Sequence, residues 1–243
     1  MPVEILTISR RFCGPSKSGN GGYVCGRIAR HISGPATVKL RIPPPIEVPL
    51  QIERSEGIVK LLHGTEVVGE GGPAELNIAP PEALTYAEAE AASHGFLGFS
   101  KHSFPRCFVC GPLRQERDGM RIFAGPVSNR QFVAAPWIVD ASLADGGHVP
   151  SEFVWAALDC PSAFAVMPVA DGVAIVLGQL TAHVNGSVRP AEKCTVIAWP
   201  IAIDGRKRHS GSAVYSESGT LVASARAIWI EVPESAFPPE SAT

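Results

Sequence analysis

Six consecutive apolar residues, Phe153 to Leu158 (FVWAAL), constrain this chain more than any other stretch. A helix that is apolar on nearly every side belongs inside a protein, not on its surface. Ser151 or Asp145 is placed to cap its start, Pro150 suits the first turn, and Pro161 is expected to stop or kink the helix after Cys160. Two acids interrupt the run, Glu152 and Asp159. Their spacing is close to two helical turns, so both carboxylates fall on one stripe. From Ala174 to Ile230 the sequence then reads as strand after strand. A sheet wrapped around a buried helix is the expected plan.

The first half carries a shorter version of the same plan. Phe12 to Gly22 is a loop of small and turn-forming residues, and Tyr23 to Ile32 has helical spacing, ended by Gly34-Pro35. Strands are expected over 36–42, 48–54, 58–62, 66–69 and 74–78, with a turn at His63-Gly64-Thr65. Residues 79–105 read as a short helix and a connector. The second half then offers strands over 121–123, 131–134, 174–184, 193–199, 208–215 and 221–230. Three short matches between the halves fall in the same order. Asn20-Gly21-Gly22-Tyr23 aligns with Asp145-Gly146-Gly147-His148, Pro45-Ile46-Glu47 with Pro190-Ala191-Glu192, and Gly64-Thr65 with Gly219-Thr220. The divisions expected are an N-terminal half over 1–78, a connector over 79–105, a C-terminal half over 106–232 and a frayed tail over 233–243.

Composition narrows the function. A net charge of −2 over 243 residues argues against a binder of nucleic-acid backbones, which needs a basic excess. No run of eighteen apolar residues occurs, so no membrane span is expected. The first residues lack the charged-then-apolar pattern of a signal peptide, and six cysteines without one read as reduced thiols in a cytoplasm.

A loop, a buried helix and about four antiparallel strands, twice over, resembles a double-hotdog protein of the acyl-CoA thioesterase-like group. The stretches carrying the likeness are SGNGGYVCG (18–26), CFVCG with DGMRIF (107–123), APW (135–137), VWAALDCPSA (154–163), VRPAEKCTVIAW (188–199) and VYSESGTLVASARAIWI (214–230). The resemblance implies an α+β double hotdog that binds an acyl-CoA thioester and forms its dimer-like pairing within one chain, with homo-oligomers of such chains possible. It implies hydrolysis by one carboxylate near the central helix and an oxyanion held by a backbone N–H at a glycine-bearing helix start. The candidate carboxylates are Asp159, Glu152 and Asp145. The candidate substrate-binding residues are Asn20, Gly21, Gly22, Tyr23, Gly147 and His148, with Gly146 beside them. No cofactor is implied.

Fold alone does not fix the reaction. Medium-chain thioesterase II enzymes, also double hotdogs, carry an Asp-His pair, a hydroxyl and a glutamine. Anchoring VRP at 188–190 puts the Asp on Ala182, beside His183, and the glutamine near Ala227, so that triad is missing. The hydratase signature is missing too, which weakens a hydratase or dehydratase reading. The rival from another class is a non-catalytic acyl-CoA or acyl-lipid binding protein. Cys107-Phe-Val-Cys110-Gly is half of a zinc knuckle, but no second CxxC exists. His94, His102, Cys13 and Cys25 are possible further ligands, and no metal is assigned from sequence. Arg206-Lys207-Arg208-His209 is either a solvated hairpin or a landing place for CoA phosphates.

Overall fold

The computed structural model describes residues 4–237. Eleven strands are present: β1 Glu4–Thr7, β2 Ala36–Leu40, β3 Pro49–Ser55, β4 Ile58–His63, β5 Glu66–Pro73, β6 Gly125–Pro126, β7 Val133–Ile138, β8 Val173–Val184, β9 Lys193–Asp204, β10 Lys207–Tyr215 and β11 Leu221–Pro233. The helices are α1 Gly21–Ala29, α2 Tyr86–Ser93 and α3 Ser151–Phe164. All strands join one sheet in the order β1-β3-β4-β5-β2-β8-β11-β10-β9-β7-β6. Every pairing is antiparallel.

That order is nearly a palindrome about its middle. On one side lie β3, β4, β5 and β2; on the other, their counterparts β9, β10, β11 and β8. The two sets meet at β2–β8, where Ala36 faces Ala182 and Val38 faces Leu180. A buried seam of small and branched side chains suits such a junction. Two of the three internal sequence matches fall on equivalent turns. Gly64 and Gly219 both adopt positive φ in the β4–β5 and β10–β11 turns; in the connections before β3 and β9 the positive-φ residues, Glu47 and Ala191, are one position out of step with the match, which pairs Glu47 with Glu192. The third match does not superpose. Asn20 caps α1 directly, whereas Asp145 to His148 forms an exposed turn several residues before α3.

Helices α1 and α3 pack on each other inside the sheet's curve. In α3 all residues from Glu152 to Phe164 are buried, as the apolar run requires. Neither Ser151 nor Asp145 caps it: the N-cap is Pro150, which makes no side-chain cap bond. Nor does Pro161 end it. Proline removes one helical N–H, yet the helix continues to Phe164, and the Ser212 and Ser162 hydroxyls bond the carbonyls of Leu158 and Asp159, both at 2.7 Å.

The stripe carrying Glu152 and Asp159 is the seam with α1. A Cβ on Gly26 would stand 2.5 Å from Glu152 Cα, and one on Gly22 would stand 2.4 Å from Asp159 Cβ. Two glycines one turn apart therefore let the helix axes approach, the role small residues play wherever helices cross closely. Helix α2 lies against β7 and β9, where Ala89 and Ala92 join a small second cluster with Ala134, Ile197 and Tyr215.

Several boundaries differ from the sequence reading. The expected strand over 74–78 does not form, because β5 already ends at Pro73; 121–123 is irregular, and β1 was not anticipated. The tail is ordered through residue 237: a short turn follows β11, and Phe237 meets Phe104 with ring centroids 4.9 Å apart. The remainder of the expected frayed tail, 238–243, lies outside the described residues. No helix among those described is long and apolar enough to cross a membrane.

Candidate functional site

A cavity of about 490 Å³ opens where the N-terminus of α1, the C-terminal half of α3, the end of β2 and strand β8 converge. Its walls are largely apolar: Leu40, Ile42, Ala163, Phe164, Ile175 and Leu177 are among them. Such a volume lies within the roughly 300–1,000 Å³ of small-molecule sites. Among its polar lining residues, Asn20, Asp159 and three cysteines lie together.

Asp159 is buried, 1% exposed, on the last turn of α3 before Pro161. Its Oδ2 accepts from the Asn20 side-chain amide and from the Gly22 N–H, each at 2.9 Å. Its Oδ1 has no partner among the described residues. Burial pushes this carboxyl up to about 7. The Gly22 N–H and Asn20 amide pull the other way, and the Cys107 sulfur adds to the rise.

Asn20 does two jobs at once. Its Oδ1 accepts from Tyr23 N at 2.9 Å and so caps α1, while its Nδ2 reaches Asp159. The neighbouring Gly21 N–H is the remaining first-turn donor of α1, and nothing among the described residues accepts from it. A Cβ on Gly21 would press to 2.9 Å from Leu177 Cβ, so glycine keeps this corner of the cavity open.

The other sequence candidates lie elsewhere. Glu152 is buried against α1, with Oε1 3.6 Å from Arg27 Nε and 3.9 Å from Arg30 Nη1, and does not line the cavity. Tyr23 stacks on Phe12 with centroids 4.4 Å apart, and its hydroxyl accepts from Arg27 at 3.0 Å; it belongs to the core. Asp145, Gly146, Gly147 and His148 form an exposed turn, closed by the Asp145–His148 backbone pair. The two glycines have φ of +56° and +82°, which explains their identity without any ligand. Arg208 is committed to Glu231 and the Val166 carbonyl.

A sulfur cluster adjoins Asp159. The ligand atoms of Cys107, Cys110 and Cys160 lie within 4.8 Å of one another, and Cys107 Sγ is 3.6 Å from Cys160 Sγ. The Cys110 and Cys160 thiols bond Cys107 and hold its thiol well below the ordinary range. All six cysteines are free thiols. Cys160 was hidden from sequence reasoning because its partner pair lies some fifty residues upstream. The signal that could have exposed it is its position directly after the buried Asp159.

No protein-family model matches this sequence. No curated protein matches it either. In shape, however, the chain is similar to several solved structures. A Thermobifida fusca protein assigned as a thioesterase II superposes with a TM-score of 0.61 at 12% identity, over 94% of this chain and 91% of that one. An acyl-CoA thioesterase II of Mycobacterium marinum gives 0.56 at 11% identity, over 97% and 98%. A conserved protein of unknown function with a hotdog fold, from Alicyclobacillus acidocaldarius, gives 0.52 at 10% identity, over 95% and 96%. The fold is therefore the hotdog fold. At such identities the likeness is one of fold.

Proposed function

We propose that this chain is a double hotdog of the acyl-CoA thioesterase-like kind, that it hydrolyses a fatty or related acyl-CoA thioester, and that Asp159 is its base. The observation that carries the reading is the divided state of that carboxylate. One oxygen is fixed by Asn20 and Gly22, and the other is buried without a partner, in a residue that lines an apolar cavity. A buried carboxylate with half its acceptors unused is expensive unless it has work to do.

The acyl chain would lie along Leu40, Ile42, Ala163, Phe164 and Leu177, leaving the thioester carbonyl beside Asp159. Asp159 removes a proton from water as the oxygen adds to the carbonyl carbon, and the negative oxygen that develops is taken by the Gly21 N–H. The C–S bond then breaks and the thiol leaves with that proton. Arg41 and Lys101 edge the cavity, each on an exposed carboxylate, Glu70 and Asp171, that a CoA phosphate would displace. Six free thiols favour a reducing compartment such as the cytoplasm.

The binder reading has its own support. Ala182 and Ala227, the positions aligned with the thioesterase II Asp and glutamine, are buried alanines of β8 and β11. One comparison separates the two. Thiol release from acyl-CoAs of acetyl to palmitoyl length is measured for the wild type, Asp159→Asn, Glu152→Gln and Asp145→Asn. Loss of a general base lowers kcat by about 10²–10⁴, and only Asp159→Asn should show it. Absence of wild-type turnover, with acyl-CoA still raising the melting temperature, would establish the binder.

A further inference from the structure

The sulfur cluster next to Asp159 has the makings of a metal centre, and the thioester reading does not use it. Cys107 and Cys110 come from one tight turn and Cys160 from α3. The turn is built for this approach. The Gly111 N–H bonds the Cys107 carbonyl at 2.8 Å, and a Cβ on Gly111 would lie 2.5 Å from that carbonyl and 2.6 Å from Cys107 N. Only glycine closes the knuckle far enough to place both sulfurs on one side. Outside it, the Phe108 N–H bonds the Cys13 carbonyl at 2.8 Å and the Met120 N–H bonds the Phe108 carbonyl at 2.8 Å, so the turn is anchored at its centre.

The spacing matches a tetrahedral ion. With Zn–S bonds of about 2.3 Å, tetrahedral sulfurs stand roughly 3.8 Å apart. Cys107 and Cys160 are already 3.6 Å apart, and all three sulfurs lie within 4.8 Å. Side-chain adjustments of under about 1 Å bring them onto one ion.

Nitrogen donors flank the sulfurs. The Asn20 amide approaches Cys107 Sγ at 3.8 Å and Cys160 Sγ at 3.6 Å. His102 Nε2 is 3.3 Å from Cys110 Sγ. Each sulfur thus has a nitrogen donor beside it, the outer shell that tunes ligating sulfur.

His102 is not itself a ligand. Its Nδ1 accepts from the Phe104 N–H at 3.0 Å, which leaves the ring proton of the neutral imidazole on Nε2, facing Cys110. Nε2 is therefore a donor to sulfur. Cys13 and Cys25 stand outside the cluster, and His94 is exposed at the end of α2. Three protein ligands remain, and all three line the cavity.

We propose that Cys107, Cys110 and Cys160 bind one zinc ion through three thiolates, with the fourth coordination position facing the cavity and open to water or a ligand atom. Three-sulfur donor sets select soft or borderline ions, and three protein ligands with one open position distinguish reactive from closed structural zinc sites. Binding releases the thiol protons to solvent, and no electron is transferred. The inference stands whether or not the chain hydrolyses thioesters.

The test uses the full chain, purified without chelator and then reduced and loaded with Zn2+ or Co2+ alone. One equivalent of zinc per chain is expected. The cobalt form should show the intense ligand-field bands of a tetrahedral site and thiolate-to-metal charge transfer. This readout on the unaltered protein does not depend on any variant folding. Cys107→Ser and Cys160→Ser should lose the stoichiometric metal, and His102→Gln should keep it. No tight zinc after reduction, an octahedral cobalt spectrum without charge transfer, or full zinc in folded Cys107→Ser and Cys160→Ser would each overturn the assignment. So would a Cys107–Cys160 disulfide whose reduced form takes up no zinc, which would make the cluster a redox pair instead.

Discussion

Replacing Gly22 with alanine tests the architecture and the site together. The added Cβ would sit 2.4 Å from Asp159 Cβ, 2.7 Å from the Trp155 carbonyl oxygen and 3.0 Å from Ala156 Cα. Two of these three are backbone atoms of a buried helix, so no side chain can swing aside to make room. Helix α1 must shift outward, which overpacking data put at about 1–3 kcal/mol. The shift also breaks the 2.9 Å bond from the Gly22 N–H to Asp159, and a hydrogen bond to a charged group contributes about 1.5–3 kcal/mol. Alanine's better helix propensity returns about 1 kcal/mol. The net loss is about 1.5–5 kcal/mol, or roughly 3–20 °C in melting temperature for a chain of this size. Gly186→Ala is the comparator: its Cβ would approach nothing closer than 3.6 Å, and its φ is not in the left-handed region. That variant should stay within about 0.5 kcal/mol of wild type. A Gly22→Ala protein melting with the Gly186→Ala protein would refute the close crossing of α1 and α3.

The oxyanion role of Gly21 is testable because it is the first residue of α1, where proline is well accepted and Asn20 already has extended backbone. In a Leu177→Gly background, which removes both Leu177 atoms that a Gly21 Cβ would meet at 2.9 Å, Gly21→Pro and Gly21→Ala differ chiefly in the N–H. The proline variant should lose about 10²–10³ in kcat relative to the alanine one, and equal rates would remove Gly21 from the mechanism. Ala163 lies one turn beyond Asp159 on the same face of α3 and lines the cavity. Ala163→Phe should therefore depress kcat/KM for palmitoyl-CoA by at least about tenfold while sparing acetyl- and butyryl-CoA, in keeping with the ~1–3 kcal/mol discrimination of apolar pockets. An unchanged chain-length profile would place the acyl chain elsewhere.

What the sequence disclosed and what it hid follow from the range of the interactions. The buried run at 153–158 announces α3, and the successive apolar stretches from 174 to 230 announce β8 to β11, because both patterns are local. The turn match at Gly64/Gly219 was legible because positive φ favours glycine. Asp159 stood out because a carboxylate rarely ends an apolar run. The glycine pairs misled. Gly21-Gly22 and Gly146-Gly147 look alike on paper, yet the first pair is set by contacts with Leu177 and Asp159, and the second by an open turn with nothing near. A sequence does not say whether a glycine answers to its own backbone or to a distant neighbour. For the same reason Glu152 resembled Asp159 until α1 supplied Arg27 and Arg30. The sulfur cluster needed a contact between residues 107 and 160 that no spacing rule reaches.

The near-palindromic sheet offers two helix starts, and the proposed chemistry uses one. Asp159 and Ala29 each stand nine residues beyond their helix's N-cap, Pro150 and Asn20. Where α1 begins, an amide side chain caps the helix, glycines admit a close approach, and a carboxylate arrives from α3. Where α3 begins, the cap is a proline without a side-chain bond, and the position of α1 equivalent to Asp159 is Ala29, followed by Arg30. The charges there run the other way: Glu152 sits in the first turn of α3 and the arginines of α1 approach it. An acid at a helix start is favoured by the helix dipole, so this end of the seam is held by complementary charge. A thioester oxygen finds no donor there that is free of a carboxylate neighbour. The two ends of the seam therefore differ: one is held by complementary charge, and the other borders the cavity, the carboxylate and the sulfurs.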